Sequence, residues 1–329
     1  MRVFLSSPWI PAEWVRAHGL ESRGIWFAEN FQHGALPLSA GVCAFAENVV
    51  RFAETQPDSA VIFTTACDQL RRGFDAAAFH GLSRAFLFNL PATQTPAAKQ
   101  IFRAELERLG RFLLGLGGHT PPPEILRREM LQTDEARRRL REAAPNASAR
   151  SFAEAVARFH EDGIFSAPPA FAPGSHVPLA LVGGPLSSAD WNLLDAIETA
   201  GGRVALNATK TGERSLCPEF ESESVRGAGD AVTDALANGY FENITDVFQR
   251  PNSRLYSWLK PRLAGRHIRG IVLWHFTGCD LWRAEAQTLR EVFGLPVLLL
   301  EAGETTGIQP RDVNRLQAFV EMLKAQEKG

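Results

Sequence analysis

Two cysteines lie in a repeated pattern of residues that could do chemistry. Residues 65–71 read Thr-Ala-Cys-Asp-x-x-Arg and residues 277–283 read Thr-Gly-Cys-Asp-x-x-Arg, with Cys67 and Cys279 in equivalent places. Each copy follows an apolar run and precedes a segment of helical character, so each thiol is predicted on the turn from a buried strand into a helix. Ligands of open α/β sheets bind at that edge, and a helix N-terminus stabilises a thiolate. The two thiols could therefore face each other across a cleft.

The sequence contains four cysteines, Cys43, Cys67, Cys217 and Cys279. A free cysteine is often a small buried hydrophobic residue. The Asp and Arg at fixed offsets favour a functional interpretation for Cys67 and Cys279, because a packing residue needs no such partners. Cys43 opens a predicted amphipathic helix after Gly41, another place where a helix dipole favours a thiolate. Cys217 lies in an irregular segment and is predicted to be structural.

The spacing of Cys43, Cys67 and Cys279 restricts the metal chemistry that they could support. Structural zinc sites usually contain closely spaced Cys pairs, and ferredoxin ligands cluster within a short loop; neither pattern is present. Widely separated ligands at strand and helix ends suit a cluster held between domains. Three thiolates on a cubane would leave one iron without a cysteine, able to bind water or substrate as a Lewis acid.

Length and composition limit the class of protein. The chain has 329 residues, of which 45% are hydrophobic and 22% charged, with a formal net charge of −2. This composition is typical of a globular protein, and the length is that of two domains at roughly 150 residues each. The near-neutral charge argues against recruitment of nucleic acid or of an anionic membrane.

The start of the chain is predicted to be a first strand and not a signal peptide, and no apolar run approaches the roughly 18 residues of a membrane helix. We therefore expect a cytoplasmic protein. In that compartment the four cysteines should be reduced, and a structural disulfide is not expected.

Periodicity predicts an α/β fold of two doubly wound parallel-sheet domains joined by a helical segment. The predicted boundaries are 1–95 for the N-terminal α/β domain, 96–170 for the helical segment and linker, and 171–329 for the C-terminal α/β domain. Both α/β units read as alternating strands and helices, so they could be distant copies of each other. The cofactor site would lie in the cleft between them.

The alternation of apolar runs and turn residues also predicts individual elements. Predicted strands are 3–7, 24–27, 60–65, 84–88, 177–182, 203–206, 270–274 and 296–300. Predicted helices begin near 11 and 43 and cover 97–116, 124–143, 151–160, 189–200, 230–244, 253–263, 282–293 and 312–324. Ser151 is a predicted helix cap, and the charged residues of 124–142 are predicted to form a solvated face.

The glycines after the predicted strand 177–182 do not form a nucleotide-binding motif. Gly183-Gly184-Pro185 lacks both the G-x-G-x-x-G spacing and the Walker lysine-serine. A tight strand-to-helix turn, capped by Ser187 or Ser188, is the better interpretation. The common hydrolase motifs H-E-x-x-H and G-x-S-x-G are also missing from the sequence.

Several blocks of this sequence, in order along nearly the whole chain, resemble the 2-hydroxyacyl-CoA dehydratase / benzoyl-CoA reductase family of iron–sulfur proteins. The most specific block is 63–72, Phe-Thr-Thr-Ala-Cys-Asp-Gln-Leu-Arg-Arg. The other blocks are 6–13, 41–43, 182–185 with 211–214, and Cys279 with 295–298 and 309–321.

The resemblance implies a cofactor, a substrate class and partners. Cys43, Cys67 and Cys279 would hold one [4Fe–4S] cluster, and two related subunits, as a homodimer or a heterodimer, would form the catalytic unit. A separate ATP-dependent iron–sulfur activator would supply single low-potential electrons. The substrate would be an acyl-CoA thioester, which family members either dehydrate through a ketyl radical or, in the benzoyl-CoA type, reduce at the aromatic ring.

The chain departs from the family pattern in ways that leave the substrate and the reaction open. It is shorter than typical members, and residues 246–252 lack a further cysteine that members often have. The segment 209–212 also lacks a cysteine, with Cys217 nearby but out of register. A double-cubane cluster would need more thiols than the four present.

Other residues receive predicted roles with alternatives. Ser7, or Ser6 beside it, could touch the iron that has no cysteine, or could cap the following helix. Glu13 could handle a proton near the thioester, or could favour a helix N-terminus by its charge. We take Glu13 and Ser7 as the candidate catalytic residues. His33 could be an acid–base group or could be exposed.

Arg71 and Arg283 occupy equivalent places in the two repeated motifs. Arg71 and Arg283 could anchor a CoA phosphate or neutralise the cluster, or could pair with Asp68 and Asp280 of the same motifs.

A catalytic subunit is the preferred hypothesis for the function of the chain. The alternatives are a non-catalytic electron-relay subunit and a zinc-binding or degenerate structural homologue.

Overall fold

A computed structural model of the chain describes residues 1–25, 42–171, 174–220, 225, 229–302 and 308–326. The strands of these residues form two four-stranded sheets, and every strand pair is parallel. The strands are β1 Arg2–Leu5, β2 Glu21–Gly24, β3 Ala60–Thr64, β4 Ala85–Phe88, β5 Val177–Gly183, β6 Gly202–Thr209, β7 Gly270–Phe276 and β8 Val297–Ala302.

Helices are interleaved with the strands of both sheets, and three long helices lie between the sheets in chain order. The α-helices of the described residues are α1 Ala12–Ala17, α2 Ala44–Glu54, α3 Asp68–Phe79, α4 Pro96–Gly115, α5 Pro123–Ala143, α6 Ala149–Asp162, α7 Asn192–Thr199, α8 Asp230–Glu242, α9 Ser253–Gly265, α10 Asp280–Phe293 and α11 Pro310–Ala325. Within the described part of the chain, no helix has the length and apolar character needed to cross a membrane.

The two sheets have the same strand order. The first is β2-β1-β3-β4 and the second is β6-β5-β7-β8, so in each sheet the third strand in chain order is an inner strand. The α/β fold with two parallel-sheet domains is thus confirmed, and the matching order is what a distant repeat would give. The predicted domain boundaries stay a prediction.

The inner strands β3 and β7 are buried along their whole length, as parallel strands covered on both faces are. Alternate residues of β3 face different hydrophobic cores, with Phe63 in one core and Ile62 in another. The core that contains Phe63 also contains Trp274 of β7. One continuous apolar core therefore joins the two sheets. Each cysteine motif begins at the carboxyl end of an inner strand of one sheet.

Gly183 at the end of β5 is required by close packing. Its φ of 148° lies outside the range that other residues adopt easily, and a Cβ atom there would overlap the carbonyl oxygen of Trp274. The chain then turns into a short helical segment, where Ser187 and Asp190 form a reciprocal capping box. Ser187 is thus the cap that the turn was predicted to contain.

Local predictions differ from the structure at two elements, β2 and α6. The second strand is Glu21–Gly24, earlier than the predicted 24–27, and residues 26 and 27 lie outside the described residues. Helix α6 begins at Ala149, and its N-cap is Ser148, whose side chain accepts the backbone N–H of Ser151. Ser151 therefore lies inside the first turn, where its N–H is one of the donors that a cap satisfies.

The charged face of α5 is not fully solvated, because Arg137 is only 3% exposed. Its guanidinium lies 2.7 Å from a carboxylate oxygen of Glu13, and it donates to the hydroxyl of Tyr240, which donates to the other oxygen of Glu13. We call these three residues the Glu13 network. It joins α1, α5 and α8, so it links the first half of the chain, the long helices and the second half.

Burial and charge act in opposite directions on the Glu13 carboxyl. Burial alone would raise its pKa, but the positive charges of Arg137 and Arg16 and the hydroxyl of Tyr240 lower the pKa below its ordinary value overall. Glu13 is therefore ionised in the folded protein, and Arg137 neutralises it inside the molecule.

The Glu13 network predicts a large loss of stability in Glu13→Gln. The substitution keeps the side-chain shape but leaves the buried Arg137 charge without its carboxylate, which costs about 3–5 kcal/mol in the free energy of unfolding. Urea unfolding at neutral pH measures this loss. Glu21→Gln is the matched control, since Glu21 pairs with Arg2 and Arg23 at the surface and should cost about 1 kcal/mol or less. Equal losses in the two variants would contradict the prediction.

The same network predicts how the loss depends on pH. A carboxyl whose pKa is lower in the folded protein than in the unfolded chain contributes stability above its unfolded pKa, here near 4.5, and that contribution disappears as pH falls through the lowered folded value. The difference in unfolding free energy between the wild type and Glu13→Gln should thus be largest at neutral pH and shrink as the pH falls below 4.5. A difference that grows with acidification would show that Glu13 is not the ionised partner.

Candidate functional site

Cys43, Cys67 and Cys279 line one cavity of about 370 Å³. We call it the cysteine cavity. Cys43 and Cys67 come from the first half of the chain and Cys279 from the second, and Phe45 and Phe276 line it from the two halves with ring centroids 5.8 Å apart. The structure thus brings together the three thiols that were predicted as ligands, although their role as cluster ligands stays a prediction.

Each of the three cysteines is the N-cap of a helix: Cys43 of α2, Cys67 of α3 and Cys279 of α10. The carbonyl of each accepts the backbone N–H of the residue four positions later, at 3.0 Å, 3.3 Å and 3.1 Å respectively. The helix therefore begins directly after the cysteine in all three cases, and the positive end of its dipole lies at the thiol.

The two repeated motifs follow strands that occupy the same position in the strand order of their sheets. β3 ends at Thr64 and β7 at Phe276, and each chain then turns into its helix. Gly278 has a φ of 80°, a left-handed conformation that glycine adopts without strain. This conformation explains why the second motif has glycine where the first has alanine.

Gln69 of the first motif fixes the position of Cys43. Its side-chain carbonyl oxygen accepts the backbone N–H of Cys43 at 2.9 Å. This contact holds the start of α2 against the start of α3, because Gln69 lies in the first turn of α3. Two of the three thiols are therefore fixed relative to each other by a hydrogen bond as well as by packing.

Burial raises the pKa of the Cys43 thiol to about 12 and that of Cys279 to about 11, and it also raises the pKa of Cys67. Cys67 and Cys279 add to this rise at Cys43, and Cys67 adds to it at Cys279, because neighbouring thiolates repel each other. Backbone N–H groups in the first turn of each helix oppose the rise.

The donor set of the cysteine cavity fits a sulfur-binding metal group. None of the three thiols makes a capping hydrogen bond within the described residues, and thiolates are ligands that select zinc and iron–sulfur clusters. In that part of the chain, no group of three or more His, Cys, Asp or Glu side chains is arranged to hold a single metal ion. Because the thiols surround a cavity, a group bound to all three has to occupy that space.

Two charged residues of the cavity were not singled out from the sequence. Lys210 follows β6 directly and is 7% exposed, and Asp246 is also buried. The ammonium of Lys210 lies 3.9 Å from Asp246 Oδ2. Both residues lie in segments that sequence analysis had considered only for missing cysteines. The sequence does contain a signal that could have identified Lys210. It is a lysine directly after an apolar strand, and ligands bind at that edge of a parallel sheet.

Ser7 and Glu13 are described residues, and neither lines the cysteine cavity. Ser7 is buried at the end of β1, where its hydroxyl accepts the backbone N–H of Trp9 at 3.4 Å. Glu13 belongs to the Glu13 network. Their predicted catalytic roles stay predictions. The hydroxyl of Ser6 is buried without a hydrogen-bond partner in the described residues.

The remaining candidates lie in different surroundings. Arg71 pairs with Asp68 at 3.7 Å on the exposed start of α3, the intradomain pairing that was one of the three predicted alternatives. Arg283 is exposed, and His33 lies outside the described residues. Cys217 lines a separate cavity of about 480 Å³ among arginine and glutamate side chains, and burial raises the pKa of its thiol.

A larger cavity of about 760 Å³ lies beside α4, α8 and α9. Its charged lining residues are already engaged, since Lys99 pairs with Glu242 at 2.7 Å and Arg254 donates to the carbonyls of Phe241 and Glu242. It contains no cysteine. We therefore take the cysteine cavity as the candidate functional site because of its thiols, although the other cavity is larger.

Comparison with known families identifies the family of the chain. The family described as 2-hydroxyglutaryl-CoA dehydratase, D-component, matches residues 9–323, a span that includes the three cysteines of the cavity together with Lys210 and Asp246. No curated protein sequence matches the chain. Because the match covers nearly the whole sequence, this protein belongs to the family of the 2-hydroxyglutaryl-CoA dehydratase D-component.

Proposed function

We propose that the chain is the [4Fe–4S] subunit of a 2-hydroxyacyl-CoA dehydratase-like lyase. The observation that carries this proposal is the convergence of three helix N-cap cysteines, from both halves of the chain, on one cavity. Family membership supplies the reaction class. An acyl-CoA reductase of the benzoyl-CoA type would use the same cofactor, but the family match favours dehydration.

Cys43, Cys67 and Cys279 would hold the cluster. When bound, such a cluster supplies single electrons at low potential and one iron that is free of cysteine and can act as a Lewis acid. The chain provides three sulfur donors on separate helices, each at a positive helix end that favours a thiolate. Because each cysteine is the N-cap of its own helix, the donor positions are set before the cofactor binds.

Apolar side chains limit water in the cysteine cavity. Phe248, Phe276, Leu281 and Trp282 line it. A cavity with such walls strengthens electrostatic interactions within it, and it keeps reactive species away from water. The thioester end of the substrate would enter this space, next to the iron that has no cysteine, while the chain's own residues orient it and exclude solvent.

The proposal requires partners. The family is named for one component of a dehydratase, so a related second subunit would complete the catalytic unit, as a homodimer or a heterodimer. An ATP-dependent iron–sulfur activator would deliver the electron. A reducing cytoplasm would keep the four cysteines in the free form that they have in the structure.

Cysteine substitutions test the ligand assignment. The wild type, purified without oxygen, should carry about four iron and four sulfide per chain, the content of one cubane. Cys67→Ser should lose most of both, because a hydroxyl is a poor ligand for iron in such clusters. Cys217→Ser is the matched control and should retain them, since Cys217 lines a different cavity.

Circular dichroism of both variants shows whether they fold. A folded Cys217→Ser without iron, together with a Cys67→Ser that keeps its iron and sulfide, would overturn the ligand assignment. A wild type that contains zinc and no sulfide would overturn the iron–sulfur proposal itself.

Addition of a substrate tests whether the site is catalytic or only relays electrons. We expect that a 2-hydroxyacyl-CoA changes the electron paramagnetic resonance spectrum of the reduced cluster, because the substrate should reach the iron that lacks a cysteine. Free coenzyme A is the control and should leave the spectrum closer to that of the protein alone. An unchanged spectrum across a panel of 2-hydroxyacyl-CoA thioesters would favour an electron-relay subunit.

A further inference from the structure

The cysteine cavity contains an imbalance of charge. Lys210 is its one lysine or arginine among the described residues, whereas Asp68, Asp246 and Asp280 also line it. Asp68 and Asp280 are exposed at the starts of their helices, so water screens their charges. Lys210 and Asp246 are the buried charges, and these act most strongly on any group bound in the cavity.

The ammonium of Lys210 has no hydrogen-bond acceptor within the described residues. Its nearest charged partner is Asp246, at 3.9 Å, which is longer than a hydrogen bond. An ammonium group has three donors, and a buried charge without hydrogen bonds is costly. The side chain is 8% exposed and lines the cavity, so an acceptor bound there would relieve this cost.

Asp246 is held in place and cannot serve as that acceptor by moving. One of its carboxylate oxygens accepts the indole N–H of Trp9 at 3.1 Å, and the other accepts the backbone N–H of Val247 at 2.7 Å. The backbone N–H of Lys210 is in turn fixed by the carbonyls of Gly183 and Gly184. The carboxylate of Asp246 and the backbone of Lys210 are therefore both anchored, and the ammonium of Lys210 lies 3.9 Å from the carboxylate.

Arg214 supports the same arrangement from behind the cavity. It is fully buried, and it donates at 2.9 Å to the carbonyls of Thr245 and Gly183. Its charge also interacts with Asp246. The buried side chains of Lys210, Arg214 and Asp246 together thus carry a net positive charge.

We propose that Lys210 is a positioning residue that compensates the negative charge of the thiolate-bound cofactor in the cysteine cavity. Lys210 lines the same cavity as the three thiols, which come from both halves of the chain. This inference rests on the proposed function, because it requires a cluster on the three cysteines. Lys210 is not assigned any contact with substrate.

The proposal fixes the direction of two redox effects. Reduction adds negative charge to the cofactor, so a nearby cation favours the reduced form and a nearby anion disfavours it. Removal of the Lys210 charge should therefore make the midpoint potential more negative. Removal of the Asp246 charge should make it less negative, because Lys210 is then unopposed.

The experiment compares anaerobic redox titrations of the wild type and three variants, monitored by the absorbance of the cluster. Lys210→Met keeps the length of the side chain without its charge, and it should lower the equilibrium constant for reduction by about tenfold, which is about 59 mV for one electron. Lys210→Arg should restore the potential, and Asp246→Asn should shift it in the opposite direction. Iron and sulfide content is measured on the same samples.

Lys99→Met is the matched control. Lys99 pairs with Glu242 beside a different cavity, so the same chemical change there should leave the cluster potential unchanged. An equal shift in Lys99→Met and Lys210→Met would overturn the proposal, because a general change in charge would then explain it.

The outcomes separate this proposal from the function on which it rests. A wild type without a cluster would overturn the proposed function, whereas a loaded Lys210→Met with the wild-type potential would overturn the role of Lys210 alone. A folded Lys210→Met that fails to load, with Lys210→Arg loaded, supports the need for the charge. If both Lys210 variants fail to load, Asp246→Asn decides: a less negative potential supports the proposal, and an unchanged one overturns it.

Discussion

Three sulfur atoms that are far apart in the chain have to reach one small space, and the rest of the structure follows from this constraint. Parallel sheets satisfy this constraint because the carboxyl ends of their strands lie on a common edge, where each strand is followed by a helix. β3 and β7 are the inner strands of two sheets with the same order, and each ends in a turn that makes a cysteine the first cap of a helix. Cys43 joins them through α2, which Gln69 holds against α3.

Burial of the cavity makes negative charge on its thiols energetically costly. It raises the pKa values of the three thiols, and the proximity of the sulfurs adds to this effect. Negative charge can therefore accumulate there only with compensation, from the helix N-termini and from Lys210. The indole of Trp9, from the first half of the chain, orients Asp246 of the second half. The walls of the cavity thus depend on contacts between the halves.

A second set of buried charges has a different place in the architecture. Glu13, Arg137 and Tyr240 join α1, α5 and α8 inside the molecule, and they do not line the cysteine cavity. A buried ion pair of this kind is expensive to break but adds little to stability over an apolar contact. Its value lies in fixing how α5 lies against α1 and α8, which come from the two halves of the chain.

Local patterns in the sequence were sufficient for the parallel α/β fold, for the position of most strands and helices, and for the cysteines that line the cavity, because periodicity and strand-to-helix turns depend on neighbouring residues. They were not sufficient for the cap at Ser148, the burial of Arg137 or the pair of Lys210 and Asp246. Burial and charge pairing are set by residues that are distant in the chain, as when Trp9 contacts Asp246. The sequence by itself determined which thiols were available and on which turns they lie. Only the tertiary structure decided which charges surround them, because it alone brings the two sheet edges together.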